Sequence, residues 1–203
     1  MKALFPLILS CWLLAVTSCE HQVAKKGQVY CIGLTSFGET TEAIRKAAEK
    51  TCRNLLNDSN RLVMIEWLKD TIAMQPAYYP PRKRYRADVL LAAVKKVKKN
   101  YDRYDAVLLI TELPVSTTVH GVPDYGICGL SYLKEGTSVV SSNKLNTATF
   151  CQVMRHEWAH GIGIPHCEEK GCIMNDAKGK IKNVVDHSHF SPECYAYAAK
   201  ALR

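Results

Sequence analysis

The stretch His156-Glu157-Trp158-Ala159-His160-Gly161-Ile162-Gly163-Ile164-Pro165-His166 fills every specified position of the pattern H-E-x-x-H-x-x-G-x-x-H. On an α-helix, His156 and His160 stand about 40° apart around the axis and roughly 6 Å apart along it, so both imidazoles reach one ion from the same face. Glu157 lies one step round, beside the open side of that ion. A straight continuation would carry His166 about 15 Å beyond His156, far outside a Zn–N bond of roughly 2.0–2.1 Å, so the chain has to turn back first. Gly163 accepts the left-handed conformation that ends a helix, Gly161 weakens the last turn and Pro165 forbids continuation. Three neutral imidazoles leave a fourth position for water, which is the donor set of a catalytic zinc. The chemistry expected is attack on a carbonyl by metal-activated water, with Glu157 as general base and then as proton donor to the leaving amine. The short form H-E-x-x-H arises by accident in roughly one chain in forty of this length, and the extended form is on the order of several hundred times rarer.

Upstream of the motif, strand and helix patterns alternate. Gln28 to Thr35 (QVYCIGLT) is a strand candidate, Ser36-Phe37-Gly38 a turn, and Glu39 to Leu56 a helix rich in Ala, Glu, Lys and Arg. Arg61 to Leu68 is a second strand, Pro76, Pro80 and Pro81 break the chain, and Tyr85 to Asn100 is an amphipathic helix with Lys95, Lys96, Lys98 and Lys99 on its solvated face. Asp105 to Thr111 is apolar enough for a buried strand. After Pro114 and Pro123, Gly126 to Leu133 and Thr137 to Ser141 are close enough in sequence to pair antiparallel at a sheet edge. The fold class expected is α/β: one domain over residues 28–203 with a mixed twisted sheet, an antiparallel edge strand and helices packed on it.

The chain has 203 residues, 47% hydrophobic and 23% charged, which excludes a disordered, collagen-like or multi-span membrane protein. Met1-Lys2 and the short apolar run from Ala3 to Val16 have the shape of a signal peptide, expected over residues 1–18. Val16-Thr17-Ser18-Cys19 resembles a bacterial lipobox, which implies cleavage before Cys19, acylation of its thiol and a tether over residues 19–27; an ordinary secretory signal is the other reading. The expected location is the bacterial cell envelope, lipid-anchored and facing the periplasm or the surface. Loss of Lys2 takes the formal charge from +8 to +7. The excess lies mainly in Arg82-Lys83-Arg84-Tyr85-Arg86 and the lysine face, with no nucleic-acid motif beside it, so nucleic acid is excluded as a partner and a monomer is expected.

Cys167 directly follows the third histidine, and Cys172 and Met174 complete H-C-x4-C-x-M. This resembles the archaemetzincins, a metzincin family whose zinc motif continues into a second metal site of four cysteines and a Met-turn beneath the catalytic zinc. The resemblance also takes in Pro81 to Tyr85 and Asp124 to Ser142 and covers about residues 28–194. It implies a metzincin-like domain, a peptidase with aminopeptidase-like action as one option, and Met174 as the Met-turn residue. It also implies a second site from Cys167, Cys172 and Cys194. Here the chain departs from the family, because Ser191 stands where the first cysteine of a C-x-x-C belongs. A serine hydroxyl is a poor zinc ligand beside thiolates. Either His187 or His189 completes a Cys3His site, or the second metal is gone and two of the three cysteines form a disulfide. Cys31 with Cys52, and Cys128 with Cys151, are disulfide candidates or buried thiols.

The function expected is a zinc-dependent metallopeptidase acting on a peptide laid along the Gly126 to Leu133 strand by backbone hydrogen bonds. With some nine residues between Cys19 and the first strand, activity without proteolytic activation is expected. The other readings are a non-catalytic peptide- or metal-binding protein on the same scaffold, and a zinc amidohydrolase acting on a non-peptide envelope substrate.

Overall fold

The computed structural model describes residues 29–56, 61–69, 72–119, 121–177 and 189–202; the signal segment, Cys19, the tether and His187 lie outside them. Along the described chain run β1 (Val29–Ser36), α1 (Glu42–Asn54), β2 (Leu62–Trp67), β3 (Tyr78–Tyr79), β4 (Arg84–Arg86) and α2 (Ala87–Asn100). They are followed by β5 (Ala106–Thr111), β6 (Val115–Val119), β7 (Val122–Ile127), β8 (Gly129–Tyr132), β9 (Thr137–Ser141), α3 (Thr147–Gly161) and α4 (Pro192–Ala201).

Every residue of β5 is buried, because it runs mid-sheet between β1 and β9 and has a core on each face. The main sheet has the order β2-β1-β5-β9-β8; its first four strands are parallel, and β8 pairs antiparallel with β9 at the edge. One face is covered by α1 and α3, whose apolar residues meet Tyr30, Ile32, Leu34, Leu108 and Ile110. The other is covered by α2 through Leu90, Leu91, Val94 and Val97, which meet Val107, Leu109 and Val139. These residues alternate along each strand, as a two-sided sheet requires.

The sequence pattern misses a second sheet, β3-β4-β6-β7. Residues 84–86 form β4, so α2 begins at Ala87 rather than at Tyr85. The anticipated Gly126 to Leu133 strand is divided at Cys128: β7 belongs to the second sheet and only β8 to the first. Pro123 is tolerated because β7 is an edge strand, whose outward N–H groups need no partner in the sheet. The arginines before α2 are bound internally. Arg84 donates from Nη1 to the Asp124 carbonyl at 3.1 Å, Arg82 and Arg84 flank the buried Asp124 carboxylate at 3.4 and 3.9 Å, and Arg86 donates to Thr118 Oγ1 at 3.0 Å. They pin the β6–β7 hairpin to β4.

The seven described cysteines are free thiols. Cys31 and Cys52 pack into the two opposite cores, so β1 itself separates them. Burial pushes the thiol of each upward, Cys31 also feeling Asp105, which keeps both protonated.

Candidate metal centre and its cleft

α3 supplies the first two histidines and the glutamate. Its start is fixed by Asn146, whose side-chain oxygen accepts from Thr149 N at 2.8 Å. Phe150, Val153, Met154 and Trp158 are buried on the face that meets the sheet and α1. His156 Nε2 and His160 Nε2 are 3.0 Å apart, near the roughly 3.4 Å edge of a tetrahedron with Zn–N of about 2.1 Å. Each Nδ1 lies 2.7 Å from a backbone carbonyl, that of Ile173 for His156 and that of Ile164 for His160. A carbonyl can only accept, so each Nδ1 carries the proton and each Nε2 presents its lone pair. Burial lowers the pKa of both rings, that of His156 to about 4, which keeps them neutral donors.

The turn anticipated from the glycines is present, and Gly163 makes it. Its φ of +103° is a glycine conformation, and a Cβ there would stand 2.5 Å from Lys134 Cγ. Gly163 N donates to His160 O at 2.8 Å and Ile164 N to Ala159 O at 2.9 Å, closing the helix. The chain then brings the His166 ring to 5.4 Å from His156 and 4.8 Å from His160, centroid to centroid. One nitrogen of each of the three rings lies within 4.8 Å of the other two. The donor set and its spacing fit one zinc ion.

Met174 is fully buried in the core that α3 covers, next to Ile173, whose carbonyl orients His156. Cys167 N donates to Met174 O at 2.9 Å, tying the third-ligand segment to that turn. Asn175 donates from Nδ2 to the carbonyls of Cys167 and, at 2.9 Å, Glu169. The residue that follows the methionine thus serves the loop that carries His166.

The three cysteines downstream also come together. Sγ of Cys172 and Sγ of Cys194 are 3.8 Å apart, the edge of a tetrahedron with Zn–S of about 2.3 Å and nearly twice a disulfide bond. Among the described residues, the group beside the three thiols is Ser191 and not His189. Its Oγ lies 3.6 Å from Cys167 Sγ and accepts from Cys194 N at 3.3 Å, capping α4. His189 is exposed, stands outside the cluster, and gives its backbone carbonyl to Ile173 N at 2.7 Å. Burial raises the Cys172 thiol, and the N–H groups of Ser191 and Met174 aimed at its sulfur more than offset this, favouring thiolate.

Glu157 is buried at the floor of a cleft of about 1290 Å³ that β7, β8 and the residues around His166 line. Burial raises its pKa, against the opposing pull of His160 and Ser131. Ser131 Oγ donates to Glu157 Oε2 at 2.7 Å, and Gly129 stands so close that a Cβ there would lie 2.4 Å from Glu157 Cγ. Sequence reading passes over both residues, since nothing local marks a serine and a glycine of an edge strand as neighbours of a glutamate more than twenty residues on.

Residues 86–201 match the model of the Reprolysin (M12B) family of zinc metalloproteases. An archaemetzincin of Sulfolobus acidocaldarius is 36% identical over a 115-residue alignment; the match covers 49% of this chain and 64% of that relative's length, so the chain spans less than two thirds of it. Among solved structures, the archaemetzincin of Methanopyrus kandleri superposes with a TM-score of 0.76 at 19% identity, over 89% of this chain and 99% of that one. A zinc-dependent peptidase of Methanocorpusculum labreanum superposes with a TM-score of 0.61 at 16% identity, over 82% of this chain and 98% of that one. The match spans the helix, the turn and the three histidines, and by it the chain belongs to the Reprolysin (M12B) family of zinc metalloproteases, with an archaemetzincin-like sequence and fold.

Proposed function

We propose that the chain is a zinc metallopeptidase that cleaves peptide bonds in the cleft beside β8. The observation that carries this reading is that Glu157 lies within one residue of His156 and faces the cleft whose floor the three histidines form. Nε2 of His156 and His160 and a ring nitrogen of His166 would hold a zinc ion, which would supply Lewis acidity and make water more acidic there. Glu157 takes one proton from the attacking water as the new C–O bond forms. It then passes that proton to the leaving nitrogen as the C–N bond breaks. The raised pKa that burial gives Glu157 suits a group that must both accept and return a proton. The outer edge of β8 offers backbone hydrogen bonds to an extended peptide, so substrate orientation is assigned to Gly129–Tyr132.

Digestion of a peptide library, read by mass spectrometry for wild type and Glu157→Gln, tests this. Wild type cuts, and Glu157→Gln loses about 10³-fold in rate or more while zinc stays bound. Cuts next to free amino termini establish aminopeptidase action and internal cuts an endopeptidase. No cutting by wild type leaves the binding-protein or amidohydrolase reading.

A second, structural zinc is assigned to Cys167, Cys172 and Cys194, whose sulfurs lie within 4.8 Å of one another and of which Cys172 and Cys194 stand a tetrahedral edge apart at 3.8 Å; Ser191 Oγ beside them is not a thiolate donor. Metal analysis is expected to give two zinc ions per chain and one in Cys194→Ser. One in wild type overturns the second site. Anchoring in the bacterial envelope through an acylated Cys19 is supported by Val16-Thr17-Ser18-Cys19.

A further inference from the structure

We infer that Ser131 is the positioning residue of the general base, a role that rests on the reading of Glu157 given above. Gly129 and Ser131 are two apart on β8 and therefore share a face, the one against which the second turn from the end of α3 lies. Their contributions are complementary. Gly129, lacking a side chain, leaves a notch for the Glu157 carboxylate, whose Oε1 stands 2.5 Å from where a Cβ would be. Ser131 then holds the other oxygen, Oε2, at 2.7 Å, the length of a charge-assisted O–H···O⁻ bond.

The serine is itself fixed. Its Oγ lies 2.9 Å from Ser138 Oγ on β9 and 2.9 Å from the Glu157 carbonyl, to which Ser138 Oγ also comes within 3.1 Å. Each hydroxyl carries one proton: that of Ser131 goes to the Glu157 carboxylate, and that of Ser138 has Ser131 Oγ or the Glu157 carbonyl as its acceptor, so the pair braces one helical residue. Among the described residues Oε1 accepts no hydrogen bond, so one oxygen is anchored and the other is left for the water. A flexible three-torsion side chain is thereby held in one rotamer before substrate arrives, which is where orientation contributes to rate. Ser131 touches neither the reacting atoms nor the ligand nitrogens, so its removal acts through Glu157.

The test uses the zinc-loaded full chain, a peptide selected from the library digest, and acetohydroxamate as a zinc-binding probe whose N–OH proton needs a carboxylate acceptor. Ser131→Ala is expected to lower kcat about 30-fold with KM within twofold and zinc content unchanged. It should also raise the acetohydroxamate Kd, measured by calorimetry, about tenfold. Ser131→Thr, which keeps the hydroxyl, restores most of both. In a Glu157→Gln background, adding Ser131→Ala leaves the acetohydroxamate Kd where Glu157→Gln put it. Wild-type kcat in Ser131→Ala overturns the inference, as does additive weakening in the double variant. A loss of zinc or of thermal stability that Ser131→Thr fails to restore shows a merely structural serine and overturns it too. An inactive Glu157→Gln beside a fully active Ser131→Ala sinks the positioning role alone, whereas an active Glu157→Gln sinks the general base and the positioning role together.

Discussion

At the scale of single residues, small side chains decide what the charged ones can do. Glu157 belongs to a motif legible in the sequence, yet its burial and its carboxylate's direction come from Gly129 and Ser131 on a strand that the motif does not contain. Gly129→Ala would place a methyl carbon 2.4 Å from Glu157 Cγ, closer than any real contact, and the carboxylate is the part free to move. The expected outcome is a loss of at least about 100-fold in kcat with zinc still bound, since misplacing a reacting group by about 1 Å costs that much. Steady-state kinetics and metal content on the purified variant check it, and an active Gly129→Ala would show that the notch has slack. The histidines teach the converse. Their identity and spacing are plain in the sequence, but their tautomers are set by the carbonyls of Ile173 and Ile164, which local reading does not pair with them.

At the scale of elements, α3 does two separable jobs. Its apolar face packs on the sheet and α1, and its last two turns carry His156, Glu157 and His160. The start of the helix serves only the first job. Asn146→Ala removes the cap on Thr149 N and is expected to cost about 1 kcal/mol, lowering Tm by roughly 2–4 °C with kcat within about twofold. Thermal melts and kinetics on the same preparation read both, and a large fall in kcat would mean that fraying at Asn146 reaches His156. The alternation of strand and helix is legible up to β5, because each of those elements is long enough to show its period. The short strands β3 and β4, at two and three residues, are not, since periodicity needs several repeats to register. The break at Cys128 escapes for a different reason: β7 and β8 are continuous in sequence and differ only in which sheet they join.

At the scale of the whole molecule, the cysteine cluster ties the last helix to the catalytic loop. Cys167 and Cys172 flank the loop between His166 and Met174, and Ser191 and Cys194 open α4, so an ion there would fasten both around the Met-turn. The proposed envelope anchor belongs to this scale as well. In a detergent–water phase separation the full chain expressed in bacteria is expected in the detergent phase and Cys19→Ala in the aqueous phase, because stable anchoring needs the acyl chains. Wild type in the aqueous phase would exclude lipidation. By itself, the sequence determined the α/β class, the three histidines and Glu157 and the turn at Gly163, because each of these is written in spacing along one chain, whereas the grouping of Cys167, Cys172 and Cys194 came from the family resemblance. Only the tertiary structure decided that Cys31 and Cys52 face opposite cores, that a second sheet walls the cleft, that Ser191 rather than His189 lies beside the three thiols, and that Ser131 donates to the Glu157 carboxylate. These are contacts between residues far apart in sequence, and their geometry exists only once the sheets have paired and the helices have packed on them.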